Sequence, residues 1–386
     1  MRRVSIAPRA NLAVRIKDLG FDFHAPDGEL YWDERAYYAF SLAEIERDIE
    51  APTAELAALC LELVDRVVGD EASLKLLQIP EHAWGVIAES WRRRDPTLYG
   101  RFDFSYGGEG PAKLLEFNAD TPTALYEAAV FQWSWLEDLI AAGRLPRDAD
   151  QFNSLHEKLI ARLGALGRGR RLDLASMPGE AEDDGFIAYL DDCARQAGLE
   201  TQRLAMADIG VTDEPRFADA QGRPIELMFK LYPWEWMFAD AYGRSPALAA
   251  TQFLEPPWKA ILSNKGALAL LWDMAPNHPN LLPAFFEHDP RKADLGARFA
   301  RKPIYSREGA NVLIVDGDRV VAREDGAYGA EGFIRQGLAA LPNFDGLYPV
   351  LGAWVVGDEA CGLGVREDET PITRNSSRFV PHAIIG

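Results

Sequence analysis

RFDFSYGGEGPAKLLEFNADTPT, residues 101–123, is the stretch from which the fold is best read. In Arg101-Phe102-Asp103-Phe104-Ser105-Tyr106, polar and aromatic residues alternate. That period of two predicts a strand with Arg101 and Asp103 on one face. Leu115-Glu116-Phe117-Asn118 predicts a second strand with Glu116 and Asn118 on one face, and GGEGP between them supplies turn residues. Paired as a hairpin, the two strands would bring Asp103, Glu116 and Asn118 together beside Arg101. Two carboxylates and an amide are hard oxygen donors that suit Mg²⁺, an ion that also holds substrate phosphates. A guanidinium beside them would stabilise charge on a moving phosphoryl group. An ordinary half-exposed hairpin with one ion pair would show the same alternation. A carboxylate pair of the glycosidase kind also fits the acids, although Arg101 and Asn118 add nothing obvious to it.

Outward from this hairpin the pattern is mixed. Residues 1–95 read mainly as helix, with Leu42, Ile45, Ile49, Leu56, Leu59, Leu63 and Val67 near helical spacing and an interruption at Pro52. Thr121–Ala142 predicts a helix with Thr121 as N-cap and Pro122 in its first turn; Leu125, Ala128, Gln132, Trp135 and Leu139 share a face. Residues 171–210 read as an α/β segment: strand Arg171–Ser176, helix Asp184–Ala197 stopped by Gly198, strand Thr201–Ile209. Residues 243–290 read as mostly helical, broken by PNHPN at 276–280, and residues 300–361 turn to β. Within the latter, VLIV, Asp316-Gly317 and DRVV predict a hairpin. The expected class is α+β, without the strict alternation of a simple doubly wound sheet.

The 386 residues carry 60 acids against 41 bases, a formal net charge of −19. Phosphate-backbone binding needs a basic surface, so nucleic acid is not expected as a main partner, nor is an anionic membrane. A cationic substrate is compatible, and so is plain solubility through self-repulsion. At 48% apolar and 11% aromatic the chain is ordered and globular, with length for two or three structural units. Three widely spaced cysteines, Cys60, Cys193 and Cys361, form no disulfide framework, and the N-terminus has no apolar h-region. A cytoplasmic, soluble protein is expected; the oligomeric state is not readable. Six scattered histidines give no HExxH, and no GxSxG elbow occurs. Lys265 follows ILSN, and KPIYSREGAN at 302–311 sets a small-residue loop before the hairpin. Such a loop can close over phosphates with backbone N–H groups, or be a surface turn. The aromatic run FKLYPWEW, 229–236, reads as core packing or a domain seam.

RFDF (101–104), LLEFNADTPT (114–123), FKLYPWEW (229–236), EPPWKAILSNK (255–265), PNHPNLLPA (276–284), KPIYSREGANV (302–312), GAWVVGDEACGLGVRED (352–368) and ITRNSSRFVPH (372–382) occur in this order. Together they resemble the glutathionylspermidine synthetase family of ATP-grasp-type carbon–nitrogen ligases, over nearly the whole chain. The similarity is greatest to short stand-alone acid–amine ligases. Bifunctional members carry an N-terminal cysteine amidase domain, for which 386 residues leave no room. The resemblance implies a circularly permuted ATP-grasp-like fold with a central α/β, pre-ATP-grasp-like segment. It implies one ligase unit over 1–386, with helices and metal-site strands in about 1–145, the α/β substrate segment in about 150–225, and the ATP-grasp segment in 226–386 with a lid near 300–322.

The resemblance also implies roles. Arg101 and Asp103 match residues that contact ATP phosphates and Mg²⁺, with Arg101 catalytic; Glu116 and Asn118 match further Mg²⁺ ligands. Thr121 lies where the family contacts its acid substrate. Lys265 and Lys302 match ATP lysines, with Arg307, Glu308 and Gly309 in the loop above the phosphates. Ile334-Arg335-Gln336-Gly337-Leu338 would border the adenine, with Gln336, Gly337 and Leu338 as the cofactor-binding residues. Arg366 matches an arginine for the glutathione carboxylate, and Glu182 and Asp183 an acidic pair near the substrate site. The implied reaction joins a glutathione-like or other peptide acid to a polyamine such as spermidine through an acyl phosphate, using ATP and Mg²⁺. A non-catalytic nucleotide- or polyamine-binding homologue, and ATP-dependent phosphoryl transfer without amide formation, are the alternatives.

Overall fold

The computed structural model describes residues 1–386, the side chain of Asp27 excepted. The hairpin forms as the alternation predicts: Tyr99–Ser105 pairs antiparallel with Lys113–Asn118. Its register sets Arg101 opposite Asn118 and Asp103 opposite Glu116. The other face is core: Phe102 and Phe104 are buried, and Phe117 stacks flat on Phe102 with ring centroids 3.8 Å apart. The hairpin is one edge of a five-stranded antiparallel sheet completed by Tyr348–Val356, Glu359–Asp368 and Arg378–Val380.

A second five-stranded sheet holds Arg298–Pro303 between Leu313–Asp316 and Phe333–Gly337, with Arg319–Arg323 and Ala284–Phe286 at its edges. The Asp316-Gly317 turn closes the expected hairpin, and Gly317 takes the positive φ that turn needs. Between these sheets in sequence lies a four-stranded parallel sheet: Arg171–Ser176, Glu200–Ala205, Leu227–Leu231 and Gln252–Leu254, with helix Ala181–Gln196 as a crossover. It therefore draws two strands from beyond residue 225.

Three expectations need correction. Residues 1–95 also carry strands, Arg2–Ser5 and Ala36–Phe40, in a small sheet with His382–Ile384. Pro52 does not break the chain: one helical run continues from Leu42 to Val67 and absorbs the missing proline N–H in a π-turn at Ile45–Glu50. Residues 243–290 are mainly short pieces, with one nine-residue helix, Gly266–Met274, and two strands.

His382 ties the C-terminal strand to the helix after the hairpin. Its Nδ1 lies 2.9 Å from Gln132 Oε1, and its Nε2 accepts from the Phe152 N–H at 3.1 Å. Those two partners fix a neutral ring, and burial pushes its pKa down to about 3.

Candidate active site

The polar face of the hairpin and the inner strands of the second sheet line one cavity of about 310 Å³. Arg101 is held in place by its neighbours. Its Nε and Nη2 donate to the two oxygens of Asp103 at 2.7 and 3.1 Å, and its Nη1 donates to the Thr123 carbonyl at 2.6 Å. The opposing strand makes room with Gly352, where a Cβ would fall 2.7 Å from Arg101 Cδ. Asn118 Nδ2 donates to Asp103 at 3.0 Å and reaches Glu116 at 3.4 Å. A half turn of that amide would present Oδ1 instead, giving three oxygen donors on one face.

The cations converge from the other side. Lys265 Nζ sits 3.0 Å from Glu116 Oε2 and donates to the Ser306 carbonyl at 2.7 Å. Lys302 Nζ donates to the Leu115 carbonyl and to Gln336 Oε1, both at 2.8 Å, and Gln336 Nε2 donates to the Leu114 carbonyl at 3.0 Å. The second sheet is thus bonded directly to strand Lys113–Asn118. Burial pushes Glu116 up, but Lys265, Lys302 and Arg101 outweigh it and carry the carboxyl down to about 2. Asp103 moves the other way: burial raises it, and Arg101 only partly offsets this. Burial brings Lys302 down to about 8, against the pull of Glu116.

Loop 306–311 crosses the cavity mouth. Glu308, Gly309 and Asn311 all have positive φ, near 54°, 71° and 58°. Gly309 is required twice over, because a Cβ there would also lie 2.6 Å from the Thr373 carbonyl oxygen. Arg307 Nη2 donates to Thr121 Oγ1 at 2.6 Å. Here the helix expectation fails: Thr121 is no N-cap. Residues 121–124 are non-helical, Ala124 has φ 65°, and helix begins at Leu125. The bonds from Arg307 and Arg101 hold that stretch extended, and tertiary contacts override the capping signal.

Asp103, Glu116, Asn118, Arg101, Lys265 and Lys302 all line the cavity. So do Thr121, Arg307, Glu308 and Gly309, and Gln336, Gly337, Leu338 and Arg366. The Arg366 Nε is buried and unpaired, while its Nη2 donates to the Arg374 carbonyl at 2.6 Å. Glu182 and Asp183 do not line it; they stand in the first turn of helix Ala181–Gln196. They still belong to its electrostatic surroundings. Burial and Glu182 raise Asp183 to about 6, with Arg307 opposing, and burial and Glu182 also raise Glu308.

Sequence reading missed Glu235, which also lines the cavity, and the buried pair beneath it. Lys230 Nζ donates to Asp120 Oδ1 at 2.6 Å, and the Trp234 N–H donates to Asp120 Oδ2 at 2.8 Å. This joins the strand end Asn118 to the central parallel sheet. The signal was a lysine inside an apolar strand, which burial without a partner would not tolerate. The three thiols are free and buried. Among the described residues no group of three or more His, Cys, Asp or Glu is placed to hold a metal; Asp103 and Glu116 are two carboxylates with the amide of Asn118 beside them. Among the described residues no helix is long and apolar enough to cross a membrane.

Comparison with known proteins gives this site a setting. A Haemophilus influenzae protein named "Putative acid--amine ligase" is 41% identical over 402 residues, covering 100% of both chains. Trypanothione synthetase of Crithidia fasciculata is 30% identical over 83% of this chain, which spans 52% of that protein's length. A solved glutathione synthetase-like effector of Globodera pallida superposes with TM-score 0.57 at 10% identity, covering 98% of each chain, a likeness of fold. The sequence model described as "Glutathionylspermidine synthase preATP-grasp" matches residues 3–385, and the chain belongs to that family.

Proposed function

We propose that this protein is an ATP-dependent acid–amine ligase that makes an amide through an acyl phosphate, on a circularly permuted ATP-grasp-like scaffold. The observation that carries the reading is the convergence of three oxygen donors, Asp103, Glu116 and Asn118, with Arg101, Lys265, Lys302 and Arg307 around one cavity. That pairing suits a nucleotide triphosphate: the donors fit Mg²⁺, and the cations fit phosphate oxygens. When bound, Mg²⁺ would neutralise charge on the phosphates. Arg101 and Lys302 would stabilise the phosphoryl group in transfer, with Lys265 and the N–H groups around Gly309 holding the rest of the chain of phosphates. Gln336, Gly337 and Leu338 would border the adenine.

A carboxylate oxygen of the acid attacks the γ-phosphorus, and ADP leaves. A neutral amine then attacks the acyl carbon and expels phosphate, giving up a proton. Positioning and electrostatics suffice, with no side-chain nucleophile. Thr121 and the unpaired Nε of Arg366 are available to the acid, proposed as a glutathione-like peptide. Glu182 and Asp183, whose crowding favours a nearby cation, would receive the remaining ammonium groups of a polyamine such as spermidine. Free, buried thiols and the net charge of −19 fit a cytoplasmic enzyme without a nucleic-acid partner.

The test is ADP release with a panel of peptide acids and polyamines. Release is expected to need Mg²⁺, acid and amine together, with the amide detected by mass. Glu116→Ala is expected to lower turnover at least a hundredfold with an unchanged circular dichroism spectrum. Unaltered turnover removes Glu116 from the metal site; equal ADP release without amine means phosphoryl transfer alone.

A further inference from the structure

Beside the proposed site lies a second cavity, of about 180 Å³, walled by four of the chain's six methionines: Met177, Met206, Met228 and Met237. Tyr232, Tyr242 and Phe217 complete the apolar wall. Its position follows from topology. Met177 and Met206 directly follow the strands Arg171–Ser176 and Glu200–Ala205, and Tyr232 directly follows Leu227–Leu231. Three of the lining residues therefore sit at the carboxyl ends of a parallel sheet, the edge where open α/β sheets take ligands, while Met228 lies within its strand. Met177 and Tyr242 are exposed, so the apolar lining reaches the surface.

Two features set what it takes. A cavity of about 150 Å³ holds one benzene-sized group, so this one has room for a ring or a short branched alkyl arm. Thioethers and ring faces suit such a group, and ring faces also attract an ammonium beside it. One carboxylate, Asp240, stands on the wall, accepting from the Tyr232 hydroxyl at 2.8 Å. The chemistry is that of an organic cation with an apolar arm.

The two cavities share a wall. Pro233 and Glu235 face the first, while Tyr232 and Met237 face the second. Trp236 spans the gap: Arg307 lies 5.6 Å from its ring centroid, and the Tyr232 ring packs edge-on at 5.5 Å. Met177 is also only six residues before Asp183, across the turn that opens the helix. We infer that the methionine-walled cavity is a specificity subsite for the amine substrate, and that this amine bears an aromatic or branched alkyl arm in addition to the ammonium groups of a plain polyamine. This rests on the ligase reading and adds to it the apolar half of the amine.

Calorimetry on the full chain with ethylamine and phenethylamine, which share one ammonium and differ by a ring, tests it. Phenethylamine is expected to bind at least tenfold tighter. Ala207→Trp, at an exposed position on the cavity wall, is expected to abolish the difference without changing ATP binding. Should that variant unfold, Met177→Ser carries the test and is expected to reduce the preference at least threefold. Equal affinities, or a preference that survives in a folded variant, overturns the inference. Amide synthesis without ring preference also sinks the subsite while leaving the ligase. Ring-dependent binding that Ala207→Trp removes, with no amide from any pair, supports the pocket and sinks the ligase.

Discussion

At the scale of single residues, the site is decided by how charges share burial. Glu116 is surrounded by lysines and stays ionised, whereas no lysine stands against Glu127 and the Tyr31 hydroxyl donates to it. Burial, and then the charge of Glu182, push Glu127 from 4.5 up to about 7. Between those two values the native chain keeps a proton that the unfolded chain has lost. Stability therefore falls as pH rises through that window, and the penalty is complete above about 7. Glu127→Gln, neutral at every pH, is expected to be more stable than the wild type at pH about 8 by roughly 1–3 kcal/mol, and so to melt higher there, and to match it near pH 4.5. Thermal melts at both pH values check this. Gly309 gives a second prediction. Gly309→Ala meets both a positive φ and the Thr373 carbonyl, so the loop must shift. ATP affinity by calorimetry is expected to drop about tenfold, on the order of 1.4 kcal/mol, with little change in melting temperature.

At the scale of elements, the pair Lys230–Asp120 couples the central sheet to the 99–118 hairpin. Both side chains are buried, and Lys230 also lies 4.3 Å from the Trp234 ring centroid. Removing one partner strands the other: Lys230→Met is expected to cost about 3–5 kcal/mol. Asp120→Asn with Lys230→Met is expected to cost less than the two singles summed, by more than about 1 kcal/mol in a denaturant-melt cycle. Additive losses would mean the pair does not couple the elements. Elements were legible where one face was polar. The 101–118 hairpin could be read because its buried and polar residues alternate. Ala36–Phe40 could not, since all five residues are buried and an unbroken apolar run carries no period. Thr121-Pro122 carried a true helix-start signal that two arginines, distant in sequence, overrode. The cavity-lining residues in the family-like motifs were legible one by one. Asp120–Lys230, Gly352 and the methionine cavity were not, because each exists only once separate segments are folded together.

At the scale of the whole molecule, two five-stranded sheets present opposite chemistry to a shared cavity, carboxylates and amide from one and lysine and loop from the other. The parallel sheet carries the acidic helix start beside them. The proposed function gives the acid excess of the sequence a partial purpose: Asp103 and Glu116 belong to the proposed metal site, and Glu182 and Asp183 to the proposed seat of a polycation. The central claim is that the chain activates a carboxylate as its phosphate before the amine attacks. Oxygen-18 in the carboxylate of an accepted acid tests this most directly, with phosphate analysed by mass after turnover with ATP, Mg²⁺ and amine. The account predicts that each phosphate released gains one labelled oxygen from the acid. Phosphate released without label, while amide accumulates, would contradict it.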